Sequence, residues 1–218
     1  TIYHPRMMEI EDRLRAILEA PEPHEHSIAV FGRSYNGKST ISKHFASLYP
    51  VQTGMMGDAD RADVVRVSMP GEASVREFAI RILRYVSEPF NLRWSTSHLT
   101  SMVYAVLRTM QTRLLLIDEF QDLANGTHRN REALKNMVKS IGEDCGCGVA
   151  LFGTPPGVDI LNDDPQLLFG LVHRPGLQPA VRVYQQSVCG HQLQPPQDPG
   201  FHFLHRLHDV AVHVHDAH

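Results

Sequence analysis

Apolar and polar positions change rhythm several times along the chain, and each rhythm predicts an element. From Pro5 to about Ala20, Met8, Ile10, Leu14, Ile17 and Leu18 recur at helical spacing with Glu and Arg between them. Pro21 and Pro23 end that pattern. Ser27 to Phe31 is a short apolar run with β-branched members that stops at Gly32, the pattern of a buried strand. A helix is expected over Ser39–Leu48, a second strand over Val64–Met69, and an amphipathic helix over Ala73–Val86 with Val75, Phe78, Ile82 and Val86 on one face. Ser97–Met110 reads as a further helix, with Thr96 or Ser97 as its N-cap. Leu114–Ile117 is a fully apolar strand, Asn130–Ile141 a helix with Leu134, Met137, Val138 and Ile141 inward, and Val149–Phe152 a fourth strand. Strands alternating with helices predict an α/β fold: a parallel sheet covered on both faces.

Composition places few limits on this picture. The 218 residues suit one domain with a real core. Apolar residues at 42% and charged residues at 21% are ordinary for a globular chain. The formal net charge of -3 argues against a histone-like nucleic-acid binder and leaves room for a local basic stripe. The sequence has no apolar run long enough for a transmembrane helix and no visible signal peptide, so a cytoplasmic protein is expected. Because the chain begins at Thr1 rather than Met, its native start is expected to lie further upstream. Three cysteines are too few for a disulfide framework, and Cys145-Gly146-Cys147 lacks the second pair of a zinc site. Two small residues in a turn before a strand is the plainer reading.

The chemistry is concentrated at two places. Gly32-Arg33-Ser34-Tyr35-Asn36-Gly37-Lys38-Ser39 fits GxxxxGK[ST] at every fixed position, between an apolar strand and a helix. Glycines let backbone amides wrap phosphates, and the helix that follows points its N-terminal dipole at the same charge. Lys38 is expected to reach the β- and γ-phosphates and Ser39 to offer a hydroxyl to magnesium. Gly32, Asn36, Gly37, Lys38, Ser39 and Thr40 form the expected ATP-binding set. Downstream, Leu114-Leu115-Leu116-Ile117 delivers Asp118 and Glu119 at a strand end. Asp118 is expected to hold magnesium with Ser39, and Glu119 to polarise the attacking water as general base. The adjacent Glu argues for a hydrolytic ATPase over a small-molecule kinase, and the sequence has no NKxD guanine motif.

Thr154, at the end of Leu151-Phe152-Gly153-Thr154, is placed where a hydroxyl could sense a γ-phosphate; a simple strand-end turn is the alternative. His128, Arg129, Arg131 and Lys135 could meet DNA phosphates or a neighbour's nucleotide, although a solvated helix face is the plainer reading.

The ordered set of features resembles the TniB/TnsC-like family of AAA+ ATPases that regulate DNA transposition. Tyr3-His4-Pro5-Arg6 before a helix, Asn36-Gly37-Lys38-Ser39, Val67-Ser68-Met69-Pro70, Ile117-Asp118-Glu119-Phe120 with Leu123-Ala124-Asn125-Gly126, and Leu151-Phe152-Gly153-Thr154 with Asp164-Pro165-Gln166-Leu167 carry the likeness. The resemblance implies an AAA+ (ASCE-type) P-loop fold, with residues 1–24 leading into a nucleotide-binding core over 25–167. It also implies ATP and magnesium as cofactors, with Lys38 and Ser39, Asp118 and Glu119, and Thr154 in the roles given above. Implied partners are double-stranded target DNA, a transposase with its target-selection proteins, and further copies of the chain in a ring or filament. A helicase-loader or IstB-like ATPase is the second reading, and a non-catalytic nucleotide-binding remnant the third.

The pattern breaks near Leu168. From there to the end the chain has no Lys, Glu, Ile or Met, yet it holds eight of the 14 His. Where the family continues into an Arg-Phe pair, Leu168-Phe169-Gly170-Leu171 follows, so residues 168–218 are expected to be an atypical, poorly ordered tail and the small helical lid to be lost. A reading-frame shift near Leu168 accounts for the break. The coding DNA, translated in its other two frames, should then yield the missing Arg-Phe and amphipathic helices; neither frame doing so would sink the idea. A metal-binding tail through His202, His205, His208, His213, His215 and His218 is the rival reading.

Overall fold

The computed structural model describes residues 5–54, 60–163 and 182–186. Five parallel strands form one sheet, and helices cover both of its faces. The strands are β1 (Ser27–Gly32), β2 (Val64–Ser68), β3 (Leu114–Asp118), β4 (Gly148–Gly153) and β5 (Arg182–Gln186), arranged in the order β2-β3-β4-β1-β5. The helices are α1 (Pro5–Glu19), α2 (Lys38–Leu48), α3 (Val75–Tyr85), α4 (Thr96–Thr109), α5 (His128–Cys145) and α6 (Pro156–Asp163).

Every residue of β1, β3 and β4 is buried, which is why these strands read as continuous apolar runs instead of alternating ones. The alternation lies in which face each side chain serves. Ala29, Phe31, Leu115, Ile117, Val149 and Leu151 meet Phe78 and Ile82 of α3, Leu99 and Val103 of α4, and Leu134 and Val138 of α5. Ile28, Val30, Leu114, Leu116, Ala150 and Phe152 meet Leu14 and Ile17 of α1 and Ile41 and Phe45 of α2. Fully burying each of the Val, Leu, Ile and Phe side chains among them contributes about 1.5–3 kcal/mol.

Local chemistry sets the helix ends. The Arg113 guanidinium donates to the carbonyls of Leu18, at 2.7 Å, and Ala20, placing a cation at the C-terminal end of α1 ahead of Pro21. The α4 cap is neither Thr96 nor Ser97, as expected, but Ser95, whose hydroxyl accepts from the His98 amide at 3.2 Å. Ser95 has the extended backbone that a capping residue needs (φ −66°, ψ 157°), whereas Thr96 is already helical. Helix α5 starts two residues before the expected Asn130 because the Thr127 hydroxyl caps it, accepting from the Asn130 amide at 3.3 Å. It runs on to Cys145, where Gly146 at φ 69° turns the chain left-handed.

Cys145 and Cys147 therefore flank the turn before β4. Cys147 is buried and donates to the Ile141 carbonyl at 3.5 Å. Burial raises both thiols, that of Cys145 to about 11.

The helix α6, the short 3-10 turns at Pro23–Glu25 and Phe120–Ala124, and strand β5 have no counterpart in the sequence expectations. β5 falls inside the stretch read as a tail without a strand period, yet it pairs with β1 from Ile28↔Arg182 to Gly32↔Gln186. The rest of that tail, the histidines of the metal-binding alternative and the expected Arg-Phe position lie outside the described residues, as do Tyr3-His4 and Asp164-Pro165-Gln166-Leu167.

Candidate active site

Parallel strands end on one side of a sheet, and groups just past their carboxyl ends meet there. β1 delivers Gly32 and the glycine loop, β3 delivers Asp118, and β4 ends immediately before Thr154. The register Val67↔Ile117 and Ser68↔Asp118 brings the end of β2 beside Asp118 as well.

The loop from Arg33 to Gly37 closes onto α2 through Gly37, whose φ of 79° favours a residue without Cβ. Tyr35 also has a positive φ, of 65°, and its ring is fully exposed. Lys38 is only 7% exposed. Its ammonium donates to the carbonyls of Gly32 at 2.8 Å and Arg33 at 2.7 Å, so it stands at the mouth of the loop. Burial lowers the Lys38 pKa from its ordinary value, and the nearby Glu119 and Asp118 carboxylates oppose that shift.

Asp118 is the hub of the cluster and is 2% exposed. Its Oδ1 accepts from the Ser39 hydroxyl at 3.2 Å and from the Glu119 amide at 3.0 Å. Its Oδ2 accepts from the Ser42 hydroxyl at 3.2 Å and from Arg66 Nη2 at 2.5 Å. Arg66 Nε also donates to the Ser42 hydroxyl at 3.0 Å. These donors satisfy both oxygens of a nearly fully buried carboxyl group. Ser39 Oγ and Asp118 Oδ1 are both hard oxygen donors, and they converge on one point beside the glycine loop, a pairing that fits magnesium.

Glu119 is exposed and sits in the left-handed region (φ 55°, ψ 39°), a strained backbone for a residue with a Cβ. Its Oε2 accepts from Gln121 Nε2 at 2.6 Å, and Gln121 Oε1 accepts from the Thr154 amide at 2.9 Å. The structure thus brings Lys38, Ser39, Asp118, Glu119 and Thr154 together at the carboxyl end of the sheet. Asn36 is half-buried in the loop, and Thr40 is exposed on the first turn of α2.

The basic set at the start of α5 does not stay together. His128 and Arg129 are exposed, whereas Lys135 is buried and pairs with Glu132 at 2.6 Å.

Three residues of this network have no place in the sequence reading: Ser42, Arg66 and Gln121. Ser42 lies one helical turn beyond Ser39, a spacing that puts both on one face. Arg66 is a charge among the valines of β2, a position that asks for a buried partner. Gln121 sits on a 3-10 turn, where no periodicity marks it.

The strand order, the glycine loop between β1 and α2, and the Asp-Glu pair at the end of the interior strand β3 define a P-loop fold of the AAA+ type. Solved structures share the architecture. Cdc6p from Pyrobaculum aerophilum superimposes with a TM-score of 0.54 at 17% identity, covering 83% of this chain and 44% of its own. The Aeropyrum pernix ORC2 protein, solved as ADPNP-ADP complexes, gives 0.55 at 15% identity, covering 76% of this chain and 45% of its own. The Aeropyrum pernix ORC1 protein, solved in complex with DNA, gives 0.57 at 11% identity, covering 84% of this chain and 45% of its own. This chain thus spans less than half the length of each. The family model described as "Bacterial TniB protein" matches residues 1–171, and the chain belongs to that family. Among curated proteins, none matches the chain. Among the described residues, no helix is long and apolar enough to cross a membrane.

Proposed function

We propose that this chain binds ATP with magnesium and hydrolyses it, and that it serves as a DNA-associated regulator of transposition. The observation that carries the reading is the convergence of Lys38 and Ser39 with Asp118 and Glu119 at the carboxyl ends of β1 and β3. In this reading the loop amides and the N-terminus of α2 hold the phosphates, and Lys38 exchanges its two loop carbonyls for phosphate oxygens. Ser39 and Asp118 would hold magnesium, which when bound neutralises charge on the phosphates. Glu119 accepts a proton from water as the water oxygen attacks the γ-phosphorus. The bond to the bridging oxygen breaks, and ADP and inorganic phosphate leave. Thr154 is the proposed γ-phosphate sensor.

Family membership and the resemblance drawn from the sequence support the transposition role. Assembly on double-stranded DNA as a ring or filament, with recruitment or activation of a transposase, belongs to the same proposal. The neighbour solved with DNA is a further support for DNA association.

The test is ATP hydrolysis by the full chain with and without double-stranded DNA, with Glu119→Gln as control. Turnover that rises with DNA and is lost in the variant is the expected result. A folded chain that binds ATP without turnover in either condition would favour a non-catalytic remnant.

A further inference from the structure

An exposed carboxylate on a freely rotating side chain is a poor general base unless something fixes its direction, because proton transfer from water depends on hydrogen-bond geometry. Glu119 is exposed in this way, and the side chain that holds its carboxylate is Gln121. We infer that Gln121 is a positioning residue for the base, tying the Glu119 carboxylate to the end of β4. The inference rests on the ATPase reading proposed above.

Three observations carry it. First, the Gln121 amide is engaged at both ends: Nε2 donates to Glu119 Oε2 at 2.6 Å, and Oε1 accepts from the Thr154 backbone amide at 2.9 Å. A backbone N–H only donates and an ionised carboxylate only accepts, so the two neighbours fix which way the amide faces. They also specify the residue type, since a donor and an acceptor are needed on one short planar group. Second, space is reserved for that amide. A Cβ on Gly153 would lie 2.8 Å from Gln121 Oε1 and 3.0 Å from the Phe31 ring. β4 therefore ends in the one residue that lets the glutamine approach. Third, the left-handed backbone at Glu119 starts the 3-10 turn that carries Gln121 two positions on, so the strained residue and its partner belong to one local structure. With Oε2 occupied by the amide, Oε1 is the oxygen left to take a proton from water. The same amide links the base to Thr154, so a movement at the end of β4 reaches Glu119 through two hydrogen bonds.

The experiment compares full chains carrying Gln121→Met, which removes both hydrogen bonds at similar volume, and Gln121→Glu, which keeps the acceptor for Thr154 and loses the donor to Glu119. DNA-stimulated ATP turnover is followed across pH, with KM for ATP measured alongside. Gln121→Met is expected to lower kcat about 10- to 100-fold, as a small misplacement of a reacting group does, with KM little changed. Gln121→Glu is expected to lose activity at neutral pH and regain part of it as pH falls into the range where the two carboxyls share a single proton, because that proton restores a donor to Glu119 while the pair keeps one negative charge. A packing role alone would give no such pH-dependent rescue. A readout independent of turnover is the Thr154 amide resonance. It should shift when Glu119→Ala is made in the parent chain and stay put when the same change is made on Gln121→Met. Parental kcat in both Gln121 variants, or a Thr154 amide that responds to Glu119→Ala without Gln121, overturns the inference. Absence of turnover in the parent chain strikes the ATPase reading instead, and the amide response then decides the Gln121 linkage by itself.

Discussion

At the scale of single residues, the site is organised around one buried carboxylate. Asp118 accepts from Ser39, Ser42, Arg66 and the Glu119 amide, and only Arg66 among these brings a formal charge. Removing one member of a buried ion pair leaves the other uncompensated, which costs about 3–5 kcal/mol. Arg66→Met is therefore expected to lower the stability of the chain by an amount of that order, measured by denaturant unfolding. Adding Asp118→Asn should recover part of the loss, and additive effects of the two changes would show that the pair is uncoupled. Asp122, three positions after Glu119, behaves differently. Burial raises its pKa above the ordinary 3.8, the Glu119 charge adds to the rise and Arg81 opposes it. Because the folded pKa lies above the unfolded one, the stability this carboxyl contributes is present below about pH 3.8 and lost as pH rises through the raised value. Asp122→Asn, neutral throughout, is expected to melt above the parent at pH 7. The gap should close in acid, and a parent-like melt at pH 7 would count against the assignment.

At the scale of elements, contact between α1 and the sheet depends on β4 beginning at a glycine. A Cβ on Gly148 would lie 2.4 Å from Ile17 Cγ2 and 2.8 Å from the Pro23 carbonyl, the second of which is backbone and cannot swing away. Gly148→Val is expected to cost about 1–3 kcal/mol by overpacking, read as a lower midpoint in thermal unfolding. A midpoint within experimental scatter of the parent would mean that α1 adjusts freely. The same elements explain what the sequence can and cannot reveal. β1, β3 and β4 are legible because central parallel strands are apolar on both faces, and α1, α2, α3 and α5 because each keeps one apolar stripe. The N-cap of α4 escapes a sequence reading because Ser95, Thr96 and Ser97 are chemically alike, and backbone dihedrals decide among them. α6 is eight residues long and opens on Pro156-Gly157, too short and too turn-like to show a period. β5 is invisible in the pattern because an edge strand pairs through backbone groups that side chains do not report.

At the scale of the molecule, the sheet order places the glycine-loop strand β1 between β4 and β5, so the loop hangs from the interior of the sheet and not from its edge. The family match runs to residue 171, a few positions past the change in composition at Leu168, and β5 lies beyond both. The candidate site is legible wherever its residues follow a fixed spacing, as in Gly37-Lys38-Ser39 and Asp118-Glu119. It is illegible where distant elements supply the partner, as Arg66 of β2 and Ser42 of α2 do for Asp118. Those partners give the cluster a property that no single motif carries. Lys38 and Arg66 set two positive charges against the two negative charges of Asp118 and Glu119, so these four residues together are formally neutral. Proteins whose ligands repel one another depend on a metal to hold them folded. The balance of these four charges predicts that folding does not depend on a cation, so chelation with EDTA is expected to leave the melting temperature unchanged while abolishing ATP turnover. A large drop in the melting temperature on chelation would mean that a cation, and not Arg66, holds Asp118 in place.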